Sequence, residues 1–163
     1  MLRPTSAEDA DRVFAIQSDW TVTVMLRMAS FPPVYRELSD WFADHRREWL
    51  AGEAHRFAVQ LGGWMVGVVD IDNIHGDEGE LGYWFERLAW GHGYASEAAR
   101  AVVGFAFDEV GLSRLAAGHA VDNPASGRVL TRLGFRALDT VEVFSRSRGR
   151  TIGHRRYLLT APR

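Results

Sequence analysis

The chain contains neither cysteine nor lysine in its 163 residues. Without cysteine it has no disulfide framework, no thiol nucleophile and no cysteine metal site. Without lysine a G-x-x-x-x-G-K-[ST] phosphate loop is excluded. All 19 basic side chains are arginine, which leaves the α-amino group as the only strong amine. No apolar run is long enough to cross a bilayer, and the opening MLRPTSAEDAD lacks the hydrophobic stretch of a secretory signal. A soluble, cytoplasmic protein is therefore expected. Excess charge is absent too: a net charge of −2 gives no electrostatic case for nucleic acid. No H-E-x-x-H or comparable ligand spacing occurs, so no metal is expected. With 47% hydrophobic and 25% charged residues the composition is ordinary for a globular protein, and the length fits a single domain over residues 1–163.

The most informative segment is present rather than missing. From Glu80 to Ala95 the chain reads ELGYWFERLAWGHGYA. Leu81, Tyr83 and Phe85 alternate with Gly82, Trp84 and Glu86, which is a strand pattern. Gly91-His92-Gly93-Tyr94-Ala95 then opens the helical spacing Ala98, Ala99, Val102, Val103, Ala106, Val110. A glycine turn feeding a helix N-terminus aims unpaired N–H groups and the positive end of the dipole at one point, which suits a phosphate or pyrophosphate. A G-x-G-x-x-G dinucleotide fingerprint is not met, because its third position is Ser96. On these glycines alone, a tight turn with no ligand is an equal reading.

A second motif lies downstream. The apolar run Leu115–Val121 leads into Asp122-Asn123-Pro124-Ala125-Ser126-Gly127-Arg128-Val129-Leu130-Thr131-Arg132-Leu133-Gly134-Phe135. Asp122 or Asn123 can cap a short helix that starts at Pro124 and stops at Gly134. Strand, glycine turn, long helix, strand, short capped helix and Gly-Phe together resemble the GNAT N-acetyltransferase superfamily. The family reads Q/R-x-x-G-x-G/A at its pyrophosphate loop, where this chain has Leu88-Ala89-Trp90-Gly91-His92-Gly93, with Leu88 replacing the Gln or Arg. That departure, with the YW…WGxGYA…EA and N-x-x-S…LGF patterns, resembles the branch that acetylates ribosomal-protein N-termini. The resemblance runs from Leu2 to about Leu159, is strongest over Glu80–Arg136, and is weakest between Trp20 and His55.

Around these motifs, Thr5 or Ser6 caps a first helix from Ala7 to about Ser18. A second helix carries Leu38, Trp41, Phe42, His45 and Trp49 and stops at Gly52. Strands are expected at His55–Leu61 and Trp64–Asn73 around a Gly62-Gly63 turn, then a loop at His75–Gly79. A terminal hairpin is expected from Thr140–Arg146 and His154–Thr160. The expected fold is mixed α/β: a central mixed sheet with splayed strands and helices on both faces.

The resemblance implies an acetyl-CoA-dependent N-acetyltransferase that transfers directly to a primary amine, either a protein N-terminus or a small molecule, with acetyl-CoA as co-substrate. It places the thioester carbonyl against backbone N–H groups near Tyr83, Trp84 and Phe85. The pyrophosphate would meet the N–H groups of Trp90, Gly91, His92, Gly93, Tyr94 and Ala95, with the Ser96 hydroxyl. Leu130 occupies the position where many members carry a tyrosine. Ser126 is the substitute for contacting the thiol, or else caps the short helix, and Asn123 orders the cofactor arm or the helix start. For the base, Glu80 and His119 compete, with Glu80 favoured for its place beside the acceptor entry; a solvated strand end and a satisfied interior histidine are their plain alternatives. Trp20, Phe31, Tyr35 and Trp84 are candidates for the acceptor pocket. Arg146, Arg148, Arg150, Arg155 and Arg156 form a basic cluster that receives an acidic partner or is a solvated face. Two other functions stay open: transfer of a larger acyl group such as succinyl, favoured by Arg27 or Arg36, and a non-catalytic acyl-CoA sensor. The exposed edge of the terminal hairpin makes a homodimer conceivable.

Overall fold

The computed structural model describes residues 1–162. Its centre is a seven-stranded sheet in the order β1-β2-β3-β4-β5-β7-β6. The strands are β1 (Leu2–Pro4), β2 (His55–Leu61), β3 (Trp64–His75), β4 (Glu78–Phe85), β5 (Arg114–Ala120), β6 (Arg136–Ser145) and β7 (Arg150–Thr160). Only β4 and β5 run parallel; every other neighbouring pair is antiparallel. The helices are α1 (Ala10–Gln17), α2 (Trp20–Thr23), α3 (Tyr35–Ala51), α4 (Tyr94–Asp108) and α5 (Pro124–Arg132). The mixed sheet with helices on both faces is the architecture expected from the sequence.

Two apolar layers hold the helices to the sheet. On one face Ala99, Val102 and Ala106 of α4 and Leu130 of α5 close over Val69, Ile71, Leu81, Phe85 and Leu115. On the other, Ala10 and Val13 of α1 and Phe42 of α3 cover Ala58, Met65 and Val68. Phe42, Ile71, Leu115 and Leu130 are the largest fully buried side chains, each contributing roughly 1.5–3 kcal/mol through removal from water.

Local chemistry sets the ends of these elements. Asp9 accepts the Ser6 N–H (2.9 Å) and starts the first helix with a short 3₁₀ turn, Ala7–Asp9. Gly52, at φ +69°, stops α3 in the left-handed conformation that glycine adopts without penalty. Gly62 and Gly63 make the tight β2–β3 turn, with Leu61 opposite Trp64.

The structure departs from expectation in three places. The His75–Gly79 loop is shorter, because Glu78 and Gly79 already pair in β4. The terminal hairpin is longer, beginning at Arg136 and Arg150; most of β6 is exposed, so it lacks the apolar alternation that reveals a strand. The short helix α2 carries no sequence expectation and is capped by the Asp19 carboxylate at the Thr21 N–H (2.9 Å). None of the described helices is long and apolar enough to cross a membrane.

Candidate active site

The parallel pair β4 and β5 is joined only at Glu78–Arg114, Gly79–Leu115 and Glu80–Ala116. Beyond Glu80 the two strands part, although both continue, β4 to Phe85 and β5 to Ala120. The edge of β4 from Leu81 onward therefore faces a gap, where its unpaired backbone groups seek partners. That gap is the middle of a cleft of about 1140 Å³. Its rim includes Gly91, Gly93–Ser96, Asn123 and Ser126 on one side of the sheet and Asp70, Asp72, Glu80, Trp41 and His154 on the other.

The glycine turn opens onto the first side. Gly91 (φ +78°) and Gly93 (φ +83°) both occupy the left-handed region, and Gly93 is the residue before α4. Among the described residues, the N–H groups of Gly91, His92, Gly93, Tyr94, Ala95 and Ser96 have no protein acceptor, and the first return bond of α4 is Glu97 N–H to the Gly93 carbonyl (3.0 Å). Trp90 corrects the expectation for this loop. Its backbone N–H already donates to the Arg87 carbonyl (3.2 Å), and its indole N–H donates to the Phe85 carbonyl (2.9 Å). Trp90 thus braces the loop against the end of β4. The His92 ring stacks on Tyr94, with centroids 5.5 Å apart.

On the same side, Asn123 rather than Ser126 caps α5: its side-chain oxygen accepts the Ser126 N–H (3.3 Å). The Ser126 hydroxyl is engaged instead with the Tyr83 phenol (2.9 Å), which also donates to the Ser126 carbonyl (2.9 Å). Tyr83 therefore reaches from β4 across the parting strands to the first turn of α5. Burial pushes its pKa up to about 12, so the phenol keeps its proton. The sequence placed Tyr83 here for its backbone alone; the link from its hydroxyl to Ser126 was not legible.

His119 does not share a face with Glu80. It points with Leu115 and Ala117 toward α5 and is buried. Its Nδ1 donates to the Ala120 carbonyl (2.7 Å), and its Nε2 bonds the Tyr157 hydroxyl (3.1 Å). With both ring nitrogens engaged beneath α5, His119 is poorly placed for the base role that the sequence left open to it.

The opposite side of the cleft is acidic and aromatic. Glu80 is exposed and accepts a hydrogen bond from the Asn73 amide (3.2 Å). Asp72 stands opposite Glu80 and Asp70 opposite Gly82, so alternation along β3 sets two further carboxylates on the Glu80 face. The sequence reading passed over both aspartates; their period-two spacing was the available signal. Burial, and then the neighbouring carboxylates, raise the pKa of both Asp70 and Asp72. Arg56 moderates this, with Nε 3.9 Å from Asp70, an ion pair to Glu48 and its guanidinium over the Trp41 ring.

Trp84 and Arg27 line the cleft as well, whereas Trp20, Phe31 and Tyr35 do not. Trp20 packs on Phe31 (4.8 Å), and Tyr35 packs on Phe14 and donates to Asp11 (2.6 Å). Arg36 is far out in solvent, paired loosely with Asp40 (3.8 Å). Much of the basic cluster is ion-paired internally. Arg148 grips Asp122 (2.7 and 2.9 Å) and the Val24 carbonyl (2.8 Å), Arg146 pairs with Glu37, and Arg156 pairs with Asp139. These contacts tie the segment after α2 to the β6–β7 hairpin and fix the outer wall of the cleft.

The profile described as acetyltransferase (GNAT) domain matches residues 1–136. The chain is 29% identical over 157 residues to "Uncharacterized N-acetyltransferase p20" of Bacillus licheniformis, covering 93% of this chain and 86% of that one. Its structure is similar to that of Mycobacterium smegmatis RimJ in complex with CoA-disulfide, with a TM-score of 0.85 and 25% identity over 98% of this chain and 81% of that one. It shares a fold with RimL, a ribosomal L7/L12 alpha-N-protein acetyltransferase solved with coenzyme A, with a TM-score of 0.87 and 18% identity over 98% and 92% of the two chains.

Proposed function

The chain belongs to the GNAT acetyltransferase family, and from that premise we propose that its cleft binds acetyl-CoA and transfers the acetyl group directly to a primary amine, without a covalent enzyme intermediate. The observation that carries this reading is the parting of β4 and β5 after Glu80–Ala116, with a glycine-turned helix N-terminus opening onto the gap. Each part of the cleft then has a chemical task. The free N–H groups of Gly91–Ser96 hold the pyrophosphate, where donors and the positive end of α4 coincide. The exposed edge of β4 from Leu81 to Phe85 takes the pantetheine arm and polarises the thioester carbonyl, and each well-placed donor to the developing oxyanion contributes a few kcal/mol. The Ser126 hydroxyl, held by the Tyr83 phenol in a helix turn whose backbone Asn123 caps, supports the departing sulfur. The amine enters from the opposite face, where Glu80 draws in its ammonium form.

The acceptor is a primary amine, with protein N-termini and small polyamines as the two classes the acidic face suits. The test is free-thiol release from acetyl-CoA across N-terminal peptides, polyamines, amino acids and aminoglycosides, with succinyl-CoA as a second donor. Acetyl turnover with one acceptor class is expected. Glu80→Gln should raise KM for that amine about tenfold by removing a charge-assisted hydrogen bond. Tight CoA binding with no acceptor-stimulated release would instead favour an acyl-CoA sensor, and preference for succinyl-CoA a larger acyl group.

A further inference from the structure

Two glycines flank the gap on the acceptor side, one on each parting strand. A Cβ at Gly82 of β4 would collide with the Asp70 carboxylate leaning over from β3, and a Cβ at Gly118 of β5 would collide with His154 Nε2 leaning over from β7. Each strand thus leaves open a floor over which an ionisable side chain of its outer neighbour extends. Both side chains line the cleft. His154 sits opposite Ala120, on the face that carries Gly118 and away from His119.

We propose that His154 is the group that takes the proton from the acceptor ammonium, with Glu80 holding that ammonium in place. The proposal rests on the acetyl-transfer reading above. Nε2 is the ring atom that overhangs the strand floor, and among the described residues the imidazole forms no hydrogen bond, so its lone pair is free for a ligand. Glu80, across the gap, is exposed and solvated and serves as counter-charge. A neutral imidazole is the better match for a proton acceptor near neutral pH. Burial and then the Arg27 charge lower the His154 pKa; Glu80 opposes them, while His119 and Arg156 add to the lowering. The ring is therefore deprotonated and able to accept.

One ammonium N–H bond breaks and its proton passes to Nε2. The freed lone pair attacks the thioester carbonyl carbon, and the C–S bond breaks. A second proton leaves the same nitrogen and ends on the sulfur as CoA thiol, and the imidazolium returns its proton to solvent.

The experiment compares wild type with His154→Gln, using acetyl-CoA with spermidine and with a Ser-initiated peptide amide, whose amines differ in pKa. CoA affinity by calorimetry should be equal in both proteins and reports folding and cofactor binding. In wild type, the alkaline limb of kcat/KM should follow the acceptor's own pKa, because the ammonium is the form that Glu80 holds, and the acid limb should stay fixed below the ordinary histidine value with both amines. His154→Gln should lower kcat about 10²–10⁴-fold and remove the fixed limb. NMR of ring-labelled histidine in the CoA-bound enzyme should place the His154 midpoint at that limb. A fixed limb that survives in His154→Gln would overturn the assignment while leaving acetyl transfer intact. Absence of wild-type turnover with these amines and with the amino acids and aminoglycosides of the wider panel, despite CoA binding, would overturn the underlying function, and this inference with it.

Discussion

The two sides of the parted sheet are built from different materials. The side bearing α4 and α5 uses backbone: the N–H groups of Gly91–Ser96 and the bare edge of β4, with few side chains beyond Tyr83, Asn123 and Ser126. The side bearing α1 and α3 uses side chains from distant segments: Asp70 and Asp72 on β3, Glu80 on β4, His154 on β7 and Arg27 after α2. Backbone recognition suits a ligand whose phosphates and amide-bearing arm never vary. Side-chain recognition suits an acceptor that differs between relatives sharing one scaffold.

The largest test of this contrast falls on the side-chain face. Arg56 lies buried between Glu48, Asp70 and the Trp41 ring. Arg56→Met should leave both carboxylates without their partner and lower stability by about 3–5 kcal/mol, read as a reduced urea midpoint. CoA affinity of the folded fraction should hold, because nothing on the backbone side is touched.

On the other face, Gly93→Val forces a β-branched residue into φ +83°, while its Cβ would meet open space. The loss is then conformational, about 1–2 kcal/mol, and should weaken CoA about tenfold by calorimetry. If Gly93→Val instead binds CoA as wild type does, the array of free N–H groups is not the phosphate site.

A further test is a pH slope from the side-chain face. His45 is buried on the inner face of α3, with Nδ1 on the Thr5 hydroxyl (2.8 Å) and no partner for Nε2. Burial, and then Arg56, lower its pKa from 6.5 to about 3. Between those values the unfolded chain binds the extra proton. Stability from this group is therefore complete above pH 6.5 and declines as pH falls toward 3, by at most about 1.4 kcal/mol per pH unit. His45→Leu should flatten that slope in urea unfolding at pH 4 to 7.

The division also explains what could be read in advance. The strand of Glu80–Phe85, the Gly91–Gly93 turn, α4, the Asn123 cap and α5 occupy contiguous residues whose local conformation decides their role. Trp90 was misread because an N–H can be claimed by a carbonyl three residues back, which no spacing rule reports. The sequence leaves His119 open between a base and a satisfied interior histidine, because its partners, the Ala120 carbonyl and the Tyr157 hydroxyl, depend on how β5 packs against β7. Asp70, Asp72 and His154 were passed over because each looks like an ordinary strand residue until its neighbour across the sheet is known.

What the sequence determined by itself is the family and the local geometry of the side proposed for the cofactor: glycine turns, a capping asparagine and helical periodicity act over a few residues, and their energetics are local. Only the tertiary structure decided the side proposed for the acceptor. Which carboxylates converge, which histidine keeps a free nitrogen and which aromatic residues reach the cleft depend on strand order and register. Those are set by packing the whole sheet between its two helical layers, since a shift of one residue along a strand carries a side chain to the opposite face.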